Sequence, residues 1–221
     1  MLESFEFDYA NFYEKLLLAS RQSFKLLKDR HANETFYCFA FVSHPDHGYV
    51  FAAASTEEGL TKVAKHYIDH YPERYGKVPL ADMRTSLRHS IADSPVYEID
   101  LIVPIFAEVN RIASIRSHAL QEIWSELSDE YGEEKADQLV QPHEVQFLDT
   151  CFAILKQLDS EGVFAVGAAR EHVVVLFDEG DQTDEVKLTY AFVVNPNNIA
   201  KRYGAEVQAG RKMDQQISQN R

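Results

Sequence analysis

The chain carries two close pairs of histidines whose spacing can hold a metal ion. In "TKVAKHYIDHYPERYG", His66 and His70 lie four residues apart with Asp69 between them. On a helix that spacing puts both imidazoles on one face, within reach of a single zinc ion. A complete zinc site needs a third or fourth protein ligand, and the helical metalloprotease pattern needs Glu directly after the first His. Tyr67 stands there instead. In "SHPDHG", His44 and His47 flank Asp46, but Pro, Asp and Gly are also what a tight turn requires. These four histidines, or the set Arg170, Glu171 and His172, define one reading of the chain: an enzyme that uses a metal or acts on a small molecule. The favoured reading assigns no metal, no cofactor and no catalytic residue.

Two acidic clusters define the other reading. Asp178, Glu179, Asp181, Asp184 and Glu185 fall within or beside "DEGDQTDE", and Asp129, Glu130, Glu133 and Glu134 form a second group. The first lacks the alternating Asp order and the central Gly of a calcium loop. As a solvated loop, the first group would offer docking surface to a cationic partner, and the second would add a further acidic patch. Asp159, Glu161, Arg170, Glu171 and His172 crowd the ends of an expected helix and two expected strands, where ion pairs are the simpler expectation.

Net charge supports the binding reading. With 22 Lys plus Arg against 35 Asp plus Glu the chain stands at −13. From Lys201 onward, five basic residues outnumber Glu206 and Asp214 to give +3, which leaves −16 on residues 1–200. A body this acidic is repelled by phosphate backbones and anionic lipid surfaces, so neither nucleic acid nor membrane is an expected partner. The phosphate loop GxxxxGK[ST], the dinucleotide fingerprint GxGxxG and the nucleophile elbow GxSxG do not occur among only 9 glycines. Cys38 and Cys151 lie in apolar runs, with no framework of closely spaced pairs, and are expected as reduced core thiols. The first segment is acidic where a secretory signal is basic, and no apolar run reaches the ~18 residues of a membrane span. A cytoplasmic protein is expected.

These clusters need elements to position them. Phe5, Tyr9, Phe12, Tyr13, Leu16, Leu17, Phe24 and Leu27 recur at helical steps and predict a first amphipathic helix. "ETFYCFAFVS", "HPDHG" and "YVFAAAS" predict a β-hairpin over 34–54. Ser55 followed by Glu58 has the form of a capping box and predicts a helix ending near Tyr71. "MRTSLRHSI" is read as a third strand. Helical spacing covers Ile99 to Tyr131, with Pro104 as a first turn or a break, and returns from Pro142 to Leu158. "VFAVG" and "HVVVLFD" read as two short strands, and "VKLTYAFVV" fits strand or helix. The expected fold is α+β: a mixed or mainly antiparallel sheet, formed by the early hairpin and late strands and packed by several helices. Residues 1–207 are expected to form one domain and 208–221 a flexible tail with few apolar residues.

Taken in order, "ETFYCFAFVS", "AASTEEGL", "LDSEGVFAVGAAREHVVVLFD" and a late "NP" resemble a bacterial domain-of-unknown-function family, DUF4303-like. The resemblance covers about residues 5–200. In size and habit such proteins are similar to the immunity proteins of polymorphic toxin systems. The resemblance therefore implies a binding role, with a protein partner such as a basic toxin domain, and it assigns no catalytic residue. The resulting expectation is a non-enzymatic acidic protein that neutralises a toxin by covering it.

Overall fold

The computed structural model describes residues 5–93, 98–180 and 182–219. Its centre is a three-stranded mixed sheet in the order β2–β1–β3, with β1 Phe36–Ser43, β2 Val50–Thr56 and β3 Val174–Asp178. β1 and β2 form the expected antiparallel hairpin; β3 joins β1 in parallel after a long helical excursion. The register shifts between Phe36 and Cys38. That irregularity is consistent with Tyr37 and Cys38 both packing on one side of the sheet, while Phe39 and Phe41 pack on the other.

Each face of the sheet is buried, so its strands read as nearly continuous apolar runs. One face packs against α1 (Tyr9–Arg30), α5 (Ile99–Tyr131) and α6 (Glu133–Ser160), with Phe24, Phe39, Phe41 and Phe177 in the shared core. The other packs against α2 (Glu57–His70), α4 (Leu80–Leu87) and α8 (Asn197–Gln219) around Cys38, Leu60, Ile199 and Tyr203. The short helix α3 (Pro72–Tyr75) follows α2. Helix α7 (Asp184–Val194) runs beside β3. The residue that follows α7, Asn195, closes the open edge of β3. Its Oδ1 accepts from Val175 N at 2.9 Å and its Nδ2 donates to Val175 O at 2.7 Å, so one side chain takes the place of a neighbouring strand.

The sheet and the α+β class are as expected; several elements differ. "MRTSLRHSI" lies in α4 and the turns after it rather than in a strand, with Met83 buried against its neighbours. "VFAVG" is a loop leading into a short 3-10 helix, Gly167–His172, because Asn195 already occupies the edge of β3. "VKLTYAFVV" is helical. Pro104 and Pro142 both sit inside helices, so the helix expected to start near Pro142 begins instead at Glu133. The carbonyls they leave unpaired belong to exposed Asp100 and Gln138, which water can reach. The cap of α2 falls one residue later than expected: Thr56 pairs with Phe36 and its side chain accepts from Gly59 N at 3.0 Å. Glu58 instead accepts from Thr35 N at 2.7 Å. Residues 208–219, expected as a tail, continue α8, with Gly210 and Ile217 buried.

Both cysteines are buried and free, and burial pushes both thiols well above their ordinary pKa. Among the described residues no helix is long and apolar enough to cross a membrane.

Candidate functional site

The structure separates the histidines. His66 and His70 are exposed on α2 with ring centroids 3.9 Å apart, and His70 Nδ1 lies 3.1 Å from the His66 carbonyl. His44 is exposed at the hairpin turn, 3.0 Å from Asp46, whereas His47 is buried. Among the described residues no three His, Cys, Asp or Glu side chains are arranged to hold a metal ion. Arg170 binds Asp159 through two nitrogens at 2.5 and 3.0 Å and also donates to Val173 O and Asn195 Oδ1. It clamps the β3 edge, while Glu171 and His172 point to solvent.

The first acidic cluster is largely consumed by the fold. Asp178 is buried and accepts from Lys187 Nζ at 2.8 Å; Glu179 is buried against His47. Asp184 is held by Arg211 at 2.7 and 2.9 Å, which keeps its carboxyl below the ordinary range. Asp181 lies outside the described residues, and Glu185 is exposed. These residues do not form one acidic surface, because β3 carries the first two into the core and α7 begins at Asp184.

The second cluster has the opposite fate. Helix α5 has 33 residues and α6 has 28, about 50 and 42 Å of helix. Gly132 links them at φ 86° and ψ 158°, a backbone region essentially restricted to glycine. Between Ile123 and Pro142 only Leu127 and Ala136 are buried. The end of this helical hairpin is therefore an arm, in which Trp124 Nε1 donates to Asp137 Oδ1 at 2.7 Å. Asp129, Glu130, Glu133 and Glu134 are all exposed there, and Glu126 and Asp137 extend the patch. Set against Lys135, these six acids give residues 124–142 a net charge of −5. Tyr131, 55% exposed, adds an aromatic surface at the tip.

The root of the arm is fixed by buried charge. His47 stacks on Phe147, with centroids 4.7 Å apart, and its ring nitrogens are hydrogen-bonded to Glu144 and Glu179 on opposite sides. Burial pushes the His47 pKa down, but the two carboxylates outweigh it and hold the imidazole above its ordinary value. Arg116, whose side chain is 0% exposed, reaches Glu144 at 3.2 Å and donates to His143 O at 2.6 Å. Burial raises the Glu144 pKa, yet hydrogen bonding to His47 and the charge of Arg116 bring it below the ordinary value. Tyr9 Oη also donates to His143 O, at 3.0 Å. Two cations thus balance two carboxylates where the hairpin turn, α1, α5, α6 and the end of β3 meet. Removing one partner from such a buried arrangement is costly, because it leaves an uncompensated buried charge.

Sequence reading missed Arg116 and the role of His47. The signal for Arg116 was present, because it continues the apolar stripe Phe106, Val109, Ala113 and Leu120 at helical steps. A charge in such a stripe must be paired when buried. Nothing local marks His47, whose partners lie 97 and 132 positions away.

A family model described as "Domain of unknown function (DUF4303)" matches residues 16–192. No curated protein matches the chain, and no solved structure does.

Proposed function

The chain belongs to the DUF4303 family of domains of unknown function, and from its acidic arm we propose that it is a non-enzymatic binding protein for a protein partner with a basic surface. The specific form we propose is a bacterial immunity protein that acts in the cytoplasm and neutralises its cognate toxin by occlusion. The observation that carries this reading is the α5–α6 arm: an exposed net charge of −5 on residues 124–142, supported on a rigid root and carrying Tyr131 at its tip. Oriented charge of one sign accelerates encounter with an oppositely charged partner, and an exposed aromatic side chain supplies the apolar anchor that charge alone lacks.

The reading is narrower than the sequence-based one. Asp129, Glu130, Glu133 and Glu134 remain as the docking residues; Asp178, Glu179 and Asp184 do not, because each is already paired within the fold. The test replaces the four arm acids with Lys, which takes the chain from −13 to −5 at two charges per position. Tagged wild-type and variant proteins are used to capture partners from the native cell at low and moderate salt, with mass-spectrometric identification. A stoichiometric basic partner, retained by wild type at low salt and lost by the variant, supports the proposal. Equal capture by both proteins removes the arm from it.

A further inference from the structure

His66 and His70 stand one turn apart at the end of α2, and both residues are exposed. Their ring centroids are 3.9 Å apart, with planes tilted by 30°. His70 Nδ1 lies 3.1 Å from the His66 carbonyl. A carbonyl can only accept, so Nδ1 carries the hydrogen and the lone pair is left on Nε2, the outer nitrogen of the ring. Metal-ligating histidines are oriented in this way: one ring nitrogen donates to a backbone carbonyl or carboxylate, and the other faces the ion. The helix itself thus gives His70 the tautomer that ligation requires.

The surroundings favour a cation. Tyr67 and Tyr71 flank the His66 ring edge-on, each with its centroid 6.4 Å away. The nearby positive side chains are engaged elsewhere: Lys62, one turn before His66, lies 3.1 Å from Glu34, and Arg74 stacks over Tyr75 at 5.0 Å. Asp69, exposed between the two histidines in sequence, adds negative charge. Among the described residues no third His, Cys, Asp or Glu joins the pair, so the set does not form the closed four-ligand site of a structural zinc.

Ligand chemistry and ring separation narrow the choice of ion. Mg²⁺ and Ca²⁺ take oxygen ligands, whereas imidazole suits copper, nickel and zinc. With metal–nitrogen bonds of about 2.0 Å, two neighbouring imidazoles centre about 4.5 Å apart on a square-planar ion and about 5.1 Å apart on a tetrahedral one. From 3.9 Å the pair reaches the first value with a small side-chain rotation and the second only with a larger one. We propose that His66 and His70 chelate one divalent late transition-metal ion through neighbouring coordination positions, with Cu²⁺ bound in preference to Zn²⁺ and water filling the remaining positions. The site is independent of the arm and of any protein partner.

The test is a titration of the untagged wild-type protein with Cu²⁺, Ni²⁺, Zn²⁺ and Mg²⁺ in a non-coordinating buffer. Binding is followed by calorimetry, and the Cu²⁺ site is located by paramagnetic broadening of histidine resonances. The first equivalent of Cu²⁺ is expected to broaden His66 and His70 before the exposed His44, His118 and His172. Affinity for Cu²⁺ is expected to exceed that for Zn²⁺ at least tenfold, and Mg²⁺ is expected not to compete. His66→Ala and His70→Ala should each weaken Cu²⁺ binding at least tenfold, because one imidazole cannot chelate. Circular dichroism checks that α2 survives in each variant; if either fails to fold, the broadening pattern and the ion series in wild type decide. Broadening that begins at another histidine, or unchanged affinity in either folded variant, would overturn the chelate. Equal affinity for Cu²⁺ and Zn²⁺ would overturn the square-planar assignment, and displacement by Mg²⁺ would show a site held by charge alone and overturn the proposal.

Discussion

Replacing His47 with Asn should uncouple the root of the arm from the hairpin turn. His47 has φ 55°, a left-handed conformation that Asn tolerates better than most residues, so the substitution isolates the side-chain network from backbone strain. Asn cannot reach Glu144 and Glu179 on opposite sides. Breaking a buried ion pair by removing one partner costs about 3–5 kcal/mol, and loss of the stacking on Phe147 adds about 0.5–1.5 kcal/mol. Glu144 keeps Arg116 and is 32% exposed, which discounts its share. The expected loss is therefore about 3–5 kcal/mol in total, read as a lower urea midpoint at unchanged slope. The sign with pH follows from the two shifts. His47 is raised on folding, so its contribution is complete below about pH 6.5 and is lost as pH rises through its folded pKa. Glu144 is lowered, so its contribution is complete above about pH 4.3 and is lost as pH falls through its folded pKa. The gap between wild type and variant should be widest between these limits and narrow on the alkaline side. A gap below about 1 kcal/mol, or one that does not narrow as pH rises above about 6.5 through the folded pKa of His47, would refute the assignment of His47 as a charged link.

Three further outcomes follow from the fold. Asn195→Ala should cost about 2–4 kcal/mol, because it leaves the N–H and C=O of Val175 unpaired in a buried strand; hydrogen exchange should show early loss of protection at Val175, and full protection would contradict the edge-closing role. Thr56→Ala should cost about 1 kcal/mol by removing the cap of α2, whereas Ser55→Ala should leave that cap intact; denaturant midpoints of the two variants distinguish the positions. Cys38 and Cys151 should resist thiol reagents in the folded protein, since both are buried and their thiols are shifted up. Labelling faster than global unfolding would show an opening that the packing does not predict.

The parts of this fold set by local pattern were legible. The Phe and Leu spacing of α1, the Ile99–Tyr131 span of α5 and the aromatic hairpin strands each bury a face whose period is written in consecutive residues. The acids at 129–134 were legible as an exposed patch, but not the start of α6 at Glu133, nine residues before the expected Pro142, which makes Gly132 a turn between two helices. What failed depended on distant partners. "VFAVG" has the composition of a strand, but Asn195 already completes the edge it would have joined. Asp178 and Glu179 look like loop acids until Lys187 and His47 are placed against them. "MRTSLRHSI" reads as a strand until α4 packs against α8 and His89 meets Glu206, 117 positions away.

The central claim is that the α5–α6 arm is the surface that meets a basic partner. Zero-length carbodiimide cross-linking of the captured complex, mapped by mass spectrometry, joins a carboxylate only to an amine in direct contact. Cross-links from Asp129, Glu130, Glu133 and Glu134 to lysines of the partner are the predicted result. A complex whose cross-links avoid the arm and gather on another face would contradict it.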